Sequence, residues 1–240
     1  LLYMHPVKAQ SDIRLALETY GIRTMSLDHP DEFEKIHRVV QAFGIDPASV
    51  SLFVRLATRG QAAYELSKKF GAAPREGTEL MQRIHRQGYR VGLCFHVGSQ
   101  VEDVETYDTA LKIAAQVRQQ ANVPLIALDI GGGFPAPYGR DPRGGQKPVP
   151  DPVSLIGDIA EDIRRAGFDD LPLVAEPGRV IVARSLSVIV RVMLRDGKRL
   201  YINDGIWGSL SDSWTGRITL PARLVPDPAR KRRSGHPTRL

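Results

Sequence analysis

Apolar residues in this chain fall into short runs, and between the runs they recur every three or four positions. The runs cover residues 1–4, 22–27, 50–57, 91–95, 125–130 and 171–175, lengths that suit buried parallel strands. The intervening spacing predicts helices over 11–20, 31–43, 75–87, 103–121 and 152–166. Ser11 is the expected N-cap of the first helix, acids open the second where the helix dipole favours them, and Gly21 and Gly44 stop these two helices. A βαβα order argues for a parallel sheet with helices outside it. The expected fold is therefore α/β, an incomplete TIM-type (β/α)8 barrel with about six of the eight units, a layout that gathers chemistry at the C-terminal strand ends.

After Arg179 the pattern changes. The β-branched runs at 180–193, 198–202 and 218–225 have no helical stretches between them. The expected organisation is a barrel over 1–182 and, over 183–240, the start of a β-rich domain ending in a basic tail. Residues 139–150, rich in Gly and Pro, read as a surface excursion on the ligand-binding face. The first residues, Leu1-Leu2-Tyr3, lack an initiator Met while Met4 already lies inside an apolar run, so the chain is expected to be a fragment.

Composition narrows the class. With 240 residues, 42% hydrophobic and 25% charged, the chain can bury a sizeable core. No apolar run approaches the roughly 18 residues of a membrane span, and no secretory-type leader opens the chain, so the expected location is cytoplasmic, without a membrane partner. A single cysteine, Cys94, leaves no internal disulfide framework, and its apolar neighbours make it a core residue. The net charge of +6 owes much to Arg230, Lys231, Arg232, Arg233 and Arg239. No aromatic residues interleave with that run, so it reads as a solvated tail and not as a nucleic-acid surface. No second His or Cys stands at metal-ligand spacing, so no metal is expected.

Three motifs close three of the strands: His96-Val97-Gly98-Ser99, Gly131-Gly132-Gly133-Phe134-Pro135 and Glu176-Pro177-Gly178-Arg179. Consecutive glycines uncover backbone N–H groups that suit a phosphate, though a tight turn needs the same residues. Glu176 and Arg179 flank a Pro-Gly corner, either as a salt bridge or as a carboxylate for a protonated ring nitrogen beside a phosphate-binding arginine. His96 alone reads as a satisfied core histidine or as a catalyst.

In this order the motifs resemble the fold type III pyridoxal-phosphate (PLP) decarboxylases, the ornithine, lysine, arginine and diaminopimelate enzymes related to alanine racemase. The resemblance extends from Tyr3 to about Val225. It implies that His96 stacks on the pyridine ring, that Glu176 keeps its nitrogen protonated, and that Ser99, Gly133, Gly178 and Arg179 hold the phosphate. Phe53-Val54-Arg55-Leu56-Ala57 is similar to the strand whose arginine, here Arg55, lies near the cofactor's phenolic oxygen. Tyr201-Ile202-Asn203-Asp204-Gly205 resembles the start of the second domain, and Asp212 falls near a substrate-binding aspartate. Gly-Gly-Gly-Phe-Pro and Asn-Asp-Gly lie nearer the ornithine-type branch.

The resemblance thus implies PLP as cofactor, a small basic amino acid as substrate, ornithine decarboxylation to putrescine in polyamine biosynthesis, and a homodimer. Lys8, in Pro6-Val7-Lys8-Ala9, superficially matches the family's Schiff-base lysine, but Tyr3-Met4-His5-Pro6-Val7-Lys8 looks more like the third barrel strand. On that registration the Schiff-base lysine precedes residue 1, a reprotonating cysteine follows the chain, and the 240 residues alone are expected to be inactive. The alternatives are a non-catalytic homologue acting by protein binding, a diaminopimelate, lysine or arginine decarboxylase, and a PLP racemase.

Overall fold

In the computed structural model, which describes residues 1–58, 69–136, 149–215 and 220–225, five of the apolar runs form one parallel sheet. The strands are β1 (Thr24–Leu27), β2 (Ser51–Leu56), β3 (Arg90–Phe95), β4 (Leu125–Asp129) and β5 (Leu173–Val174). They lie side by side in chain order. Helices α1 (Gln10–Glu18), α2 (Pro30–Ala42), α3 (Pro74–Arg86), α4 (Glu105–Ala121) and α5 (Pro152–Arg165) alternate with them. This is the expected α/β architecture of a partial TIM-type barrel.

Strand alternation sorts the side chains onto two faces. Leu52, Val54, Leu93 and Leu128 point outward into one core with Ile13, Phe33, Ile36, Leu80, Tyr107 and Ile159 from the helices. Each such side chain contributes about 1.5–3 kcal/mol by leaving water. Phe53, Cys94 and Ala127 form a smaller cluster with Met4 and Val174. Cys94 is 4% exposed, as its apolar neighbours led one to expect.

Several elements differ from the expectation. The run at 1–4 makes one parallel bridge, Tyr3 to Met25, so six expected strands become five strands and a bridge. Pro6, without an N–H, limits how far that pairing can extend. Ser11 is not the N-cap of α1: Ala9 holds that place without a side-chain cap, and the Ser11 hydroxyl donates to Asp12. The 171–175 run pairs over two residues, and a four-residue helix, α6 (Arg179–Val182), opens what the β-branched pattern at 180–193 predicts as strand. Strands β6 (Val192–Asp196) and β7 (Arg199–Ile202) then form an antiparallel hairpin, followed by α7 (Ser211–Thr215). Residues 220–225 are not strand. The basic tail and most of the 139–150 excursion lie outside the described residues.

Among the described residues no helix is long and apolar enough to cross a membrane, and no cluster of His, Cys, Asp and Glu could hold a metal ion.

Candidate active site

Parallel register builds the site row by row. Arg55 of β2 pairs with Cys94 of β3, Cys94 with Asp129 of β4, and Asp129 with Val174 of β5. Two positions further on, strand alternation returns the chain to the same face and brings His96, Gly131 and Glu176 together. The contacts agree: the Glu176 N–H donates to the Gly131 carbonyl at 2.8 Å, and a Cβ on Gly132 would lie 3.1 Å from His96 Nε2 and 2.6 Å from the Glu176 carbonyl oxygen.

Gly131 has φ +68°, the left-handed region where a side chain is strained, and a Cβ there would meet the Phe95 carbonyl oxygen at 2.3 Å. Its N–H donates to Asp129 Oδ1 at 2.8 Å. The Gly132 carbonyl accepts from the buried Tyr107 hydroxyl at 2.9 Å, and the Gly133 carbonyl accepts from the Val101 N–H at 2.9 Å. A Cβ on Gly133 would stand 2.9 Å from the Gly98 carbonyl oxygen, so the glycine turn packs directly on the His96–Ser99 segment. Gly178 has open space where a Cβ would stand.

Arg179, at the start of α6, reaches back 80 residues along the chain. Its Nε and one terminal nitrogen donate to Ser99 Oγ at 3.2 and 3.1 Å. The same terminal nitrogen pairs with Asp212 of α7 at 3.3 Å. Asp212 therefore joins the cluster through Arg179. The Arg55 guanidinium lies 5.5 Å from the centre of the Phe70 ring, and its charge is felt by His96, Asp129 and Glu176.

His96 Nδ1 accepts from the Gly98 N–H at 3.1 Å, which assigns the ring proton to Nε2, and the His96 carbonyl accepts from Thr58 Oγ1 at 3.1 Å. Burial, and then the nearby Arg55 cation, push the imidazole down to about 4, so it is neutral at pH 7. Burial and then the Asp129 charge push the Cys94 thiol well up, which leaves it un-ionised and a poor nucleophile.

The sign of the His96 shift carries a prediction. Between about pH 4 and 6.5 the unfolded chain binds the His96 proton and the folded chain does not, so acidification through that window destabilises the fold. Glu176, pushed up to about 7, contributes the opposite slope between 4.5 and 7. Comparing the urea midpoints of wild type and His96→Asn at pH 7 and pH 5 isolates the histidine: the variant is expected to lose less stability on acidification. An equal loss in both would show that the folded imidazole takes up its proton as readily as the unfolded one.

Lys8 lies apart from this cluster in its bonding. Its side chain is fully enclosed, and Nζ donates to the carbonyls of Ser26 (2.6 Å), His5 (3.0 Å) and Pro6 (3.4 Å) and pairs with Glu32 at 3.1 Å. Those bonds engage the ammonium as a structural cation.

The structure thus brings His96, Ser99, Gly133, Glu176, Arg179 and Asp212 to one barrel end, with Arg55 one row below. Sequence reasoning assigned no role to Asp129, Thr58 or Tyr107. Asp129 left a signal, as an acid at the end of the apolar run Leu125-Ile126-Ala127-Leu128. Thr58 and Tyr107 left none, because their bonds to His96 and Gly132 join distant segments.

A family model described as "Pyridoxal-dependent decarboxylase, pyridoxal binding domain" matches residues 1–183. A lysine/ornithine decarboxylase of Selenomonas ruminantium is 32% identical over 228 residues, covering 90% of this chain and 54% of that protein. An ornithine decarboxylase of Cricetulus griseus is 30% identical over 251 residues, covering 95% and 52%. The crystal structure of a lysine/ornithine decarboxylase from Vibrio vulnificus complexed with putrescine superposes with a TM-score of 0.73 at 31% identity, covering 92% of this chain and 56% of that one. The chain spans about half the length of these relatives.

Proposed function

From the premise that this chain belongs to the pyridoxal-dependent decarboxylases, we propose that it forms the cofactor wall of an enzyme that removes CO2 from a basic amino acid, with ornithine as substrate and putrescine as product. The observation that carries this reading is the convergence of Arg179 on Ser99 beside the glycine turn, with the Glu176 carboxylate and the neutral His96 in the next row. The lysine/ornithine relatives, and the putrescine bound to the Vibrio vulnificus protein, support the substrate class.

The residues present fit PLP. Among the described residues the N–H groups of Gly132 and Gly133 have no acceptor, and Arg179 and Ser99 supply N–H and O–H donors for a phosphate. PLP, when bound, supplies an electron sink for the bond that breaks as CO2 leaves. Glu176 would hold a proton at the ring nitrogen, which would strengthen that sink. His96, neutral at pH 7, would serve as the face for the ring without competing for the proton. Ser99, Gly133, Gly178 and Arg179 would hold the phosphate, and Arg55 would lend its positive charge near the phenolic oxygen. Asp212, paired with Arg179, would meet the distal amine of a substrate.

Cytoplasmic location, homodimer formation and a boundary near residue 183 belong to the same proposal; the boundary is supported by the family match ending at residue 183 and by the antiparallel β6–β7 hairpin beyond it.

Two measurements test this. PLP titrated into the 240-residue chain and followed by its absorbance is expected to saturate, and Arg179→Ala or Ser99→Ala is expected to weaken binding about 10- to 100-fold, the loss of one or two charge-assisted bonds. Unchanged affinity in both variants would remove the phosphate assignment. In a protein carrying this chain, CO2 release from ornithine is expected to exceed release from lysine, arginine and diaminopimelate; no release from any of them overturns the reading.

A further inference from the structure

Asp129 is wholly buried, and half of its carboxylate has no donor. Oδ1 takes the Gly131 N–H at 2.8 Å, whereas Oδ2 receives no hydrogen bond among the described residues. Leaving a buried acceptor unpaired costs about 1–3 kcal/mol, and more for a charged group. The Glu176 carboxyl is within hydrogen-bonding reach of the Asp129 side chain, and each acid shifts the other's proton affinity. One residue ties the two acids together, because Gly131 gives its N–H to the Asp129 side chain and takes the Glu176 N–H on its carbonyl at 2.8 Å. A carboxyl group can donate only when it carries a proton.

We propose that Asp129 and Glu176 form a carboxyl pair sharing one proton, carried by Glu176 and donated to Asp129 Oδ2, and that Asp129 is thereby a positioning residue for Glu176. Two carboxyl groups that hydrogen-bond to each other cannot both ionise freely. Burial first, and then the Asp129 charge and the hydrogen bond between them, push Glu176 up to about 7. Burial raises Asp129 as well, but the Gly131 N–H, Glu176 and Arg55 all favour its charged form, so the proton resides on Glu176. The Glu176 side of the pair is exposed to water at the barrel mouth, which screens the burial effect. Asp129 is enclosed, and its charge is the more durable cause.

The groups facing the pair agree with one shared proton. Cys94 of β3 is held un-ionised and His96 is neutral at pH 7, so among the described residues Arg55 of β2 is the cation whose charge reaches both acids.

The consequence rests on the reading of Glu176 as the ring-nitrogen partner. Protonated Glu176 can pass its proton to a basic nitrogen docked against it: one O–H bond breaks, one N–H bond forms, and the carboxylate left behind accepts the new N–H+. Total charge is unchanged, and Asp129, balanced by Arg55, keeps the carboxyl aimed.

Infrared titration of the 240-residue chain without PLP, from about pH 4 to about pH 9, tests the pair. Wild type is expected to show a protonated-carboxyl band that disappears near pH 7 and is absent in Glu176→Gln. In Asp129→Asn the amide keeps the Gly131 bond and donates to Glu176 in place of accepting. Its midpoint is expected to fall by at least about one pH unit, a tenfold loss of proton affinity. A wild-type band that titrates in the ordinary carboxylate range, or an Asp129→Asn midpoint equal to wild type, overturns the proposal. Should Asp129→Asn fail to fold by circular dichroism, the wild-type midpoint against Glu176→Gln decides alone. Because no cofactor is present, a shared proton found in a chain that does not bind PLP would sink the cofactor reading and leave the pair standing.

Discussion

Lys8→Met is expected to lower the unfolding free energy by about 3–5 kcal/mol, the cost of breaking a buried ion pair from one side. Lys8 is 3% exposed. Its ammonium serves three carbonyls and Glu32 Oε1, and its own N–H donates to that same oxygen at 3.2 Å. Methionine fills the volume but donates nothing, so all of these oxygens lose a bond from Nζ. Lys35 still pairs with Glu32 Oε2 at 2.5 Å, which keeps the loss from being larger. Urea denaturation measures the effect, and adding Glu32→Gln is expected to restore part of it, since the residual cost is a buried carboxylate. A Lys8→Met penalty below about 1 kcal/mol would show that the ammonium does not hold this corner. Borohydride treatment of the PLP-loaded chain followed by peptide mass spectrometry is expected to leave Lys8 unmodified, because Nζ has no unengaged face; labelling at Lys8 would contradict the structural role.

Gly131→Ala is the second large effect, and it strikes fold and site together. At φ +68° a side chain costs about 1–2 kcal/mol in backbone conformation alone. A Cβ 2.3 Å from the Phe95 carbonyl oxygen is closer than atoms can stand, and the obstacle is backbone, so β3 and the glycine turn must separate. The expected total is about 3–5 kcal/mol. The shift also carries away the N–H held by Asp129 and the carbonyl held by Glu176. PLP titration of Gly131→Ala is expected to show no saturable binding under conditions where wild type saturates. Gly157→Ala is the control: it sits within α5 with nothing near its added Cβ, and alanine favours a helix. If Gly131→Ala behaves like that control, the glycine turn is not a rigid support for the site.

Much of this was legible along the chain. The runs that became β2, β3 and β4 were bounded to within one or two residues, because buried parallel strands are apolar throughout and flanked by Gly and Pro. The three strand-end motifs also meet in the structure, since parallel strands bring their C-terminal ends to one edge. Ser11 misled because a hydroxyl near a helix start marks a cap only if the backbone turns there, and the backbone turns at Ala9. The 180–193 run misled because β-branched residues prefer strands only weakly once packing intervenes.

By itself, then, the sequence determined the α/β order, the strands and their terminal motifs, because hydrophobic periodicity and turn chemistry are local properties. Tertiary structure alone decided that Asp129 sits beside Cys94 and under Glu176, that Arg179 closes on Ser99, and that Lys8 is consumed by Glu32 and three carbonyls. Those outcomes depend on strand register and on which charges share a dry space. Both arise between residues dozens of positions apart, where no local preference reaches.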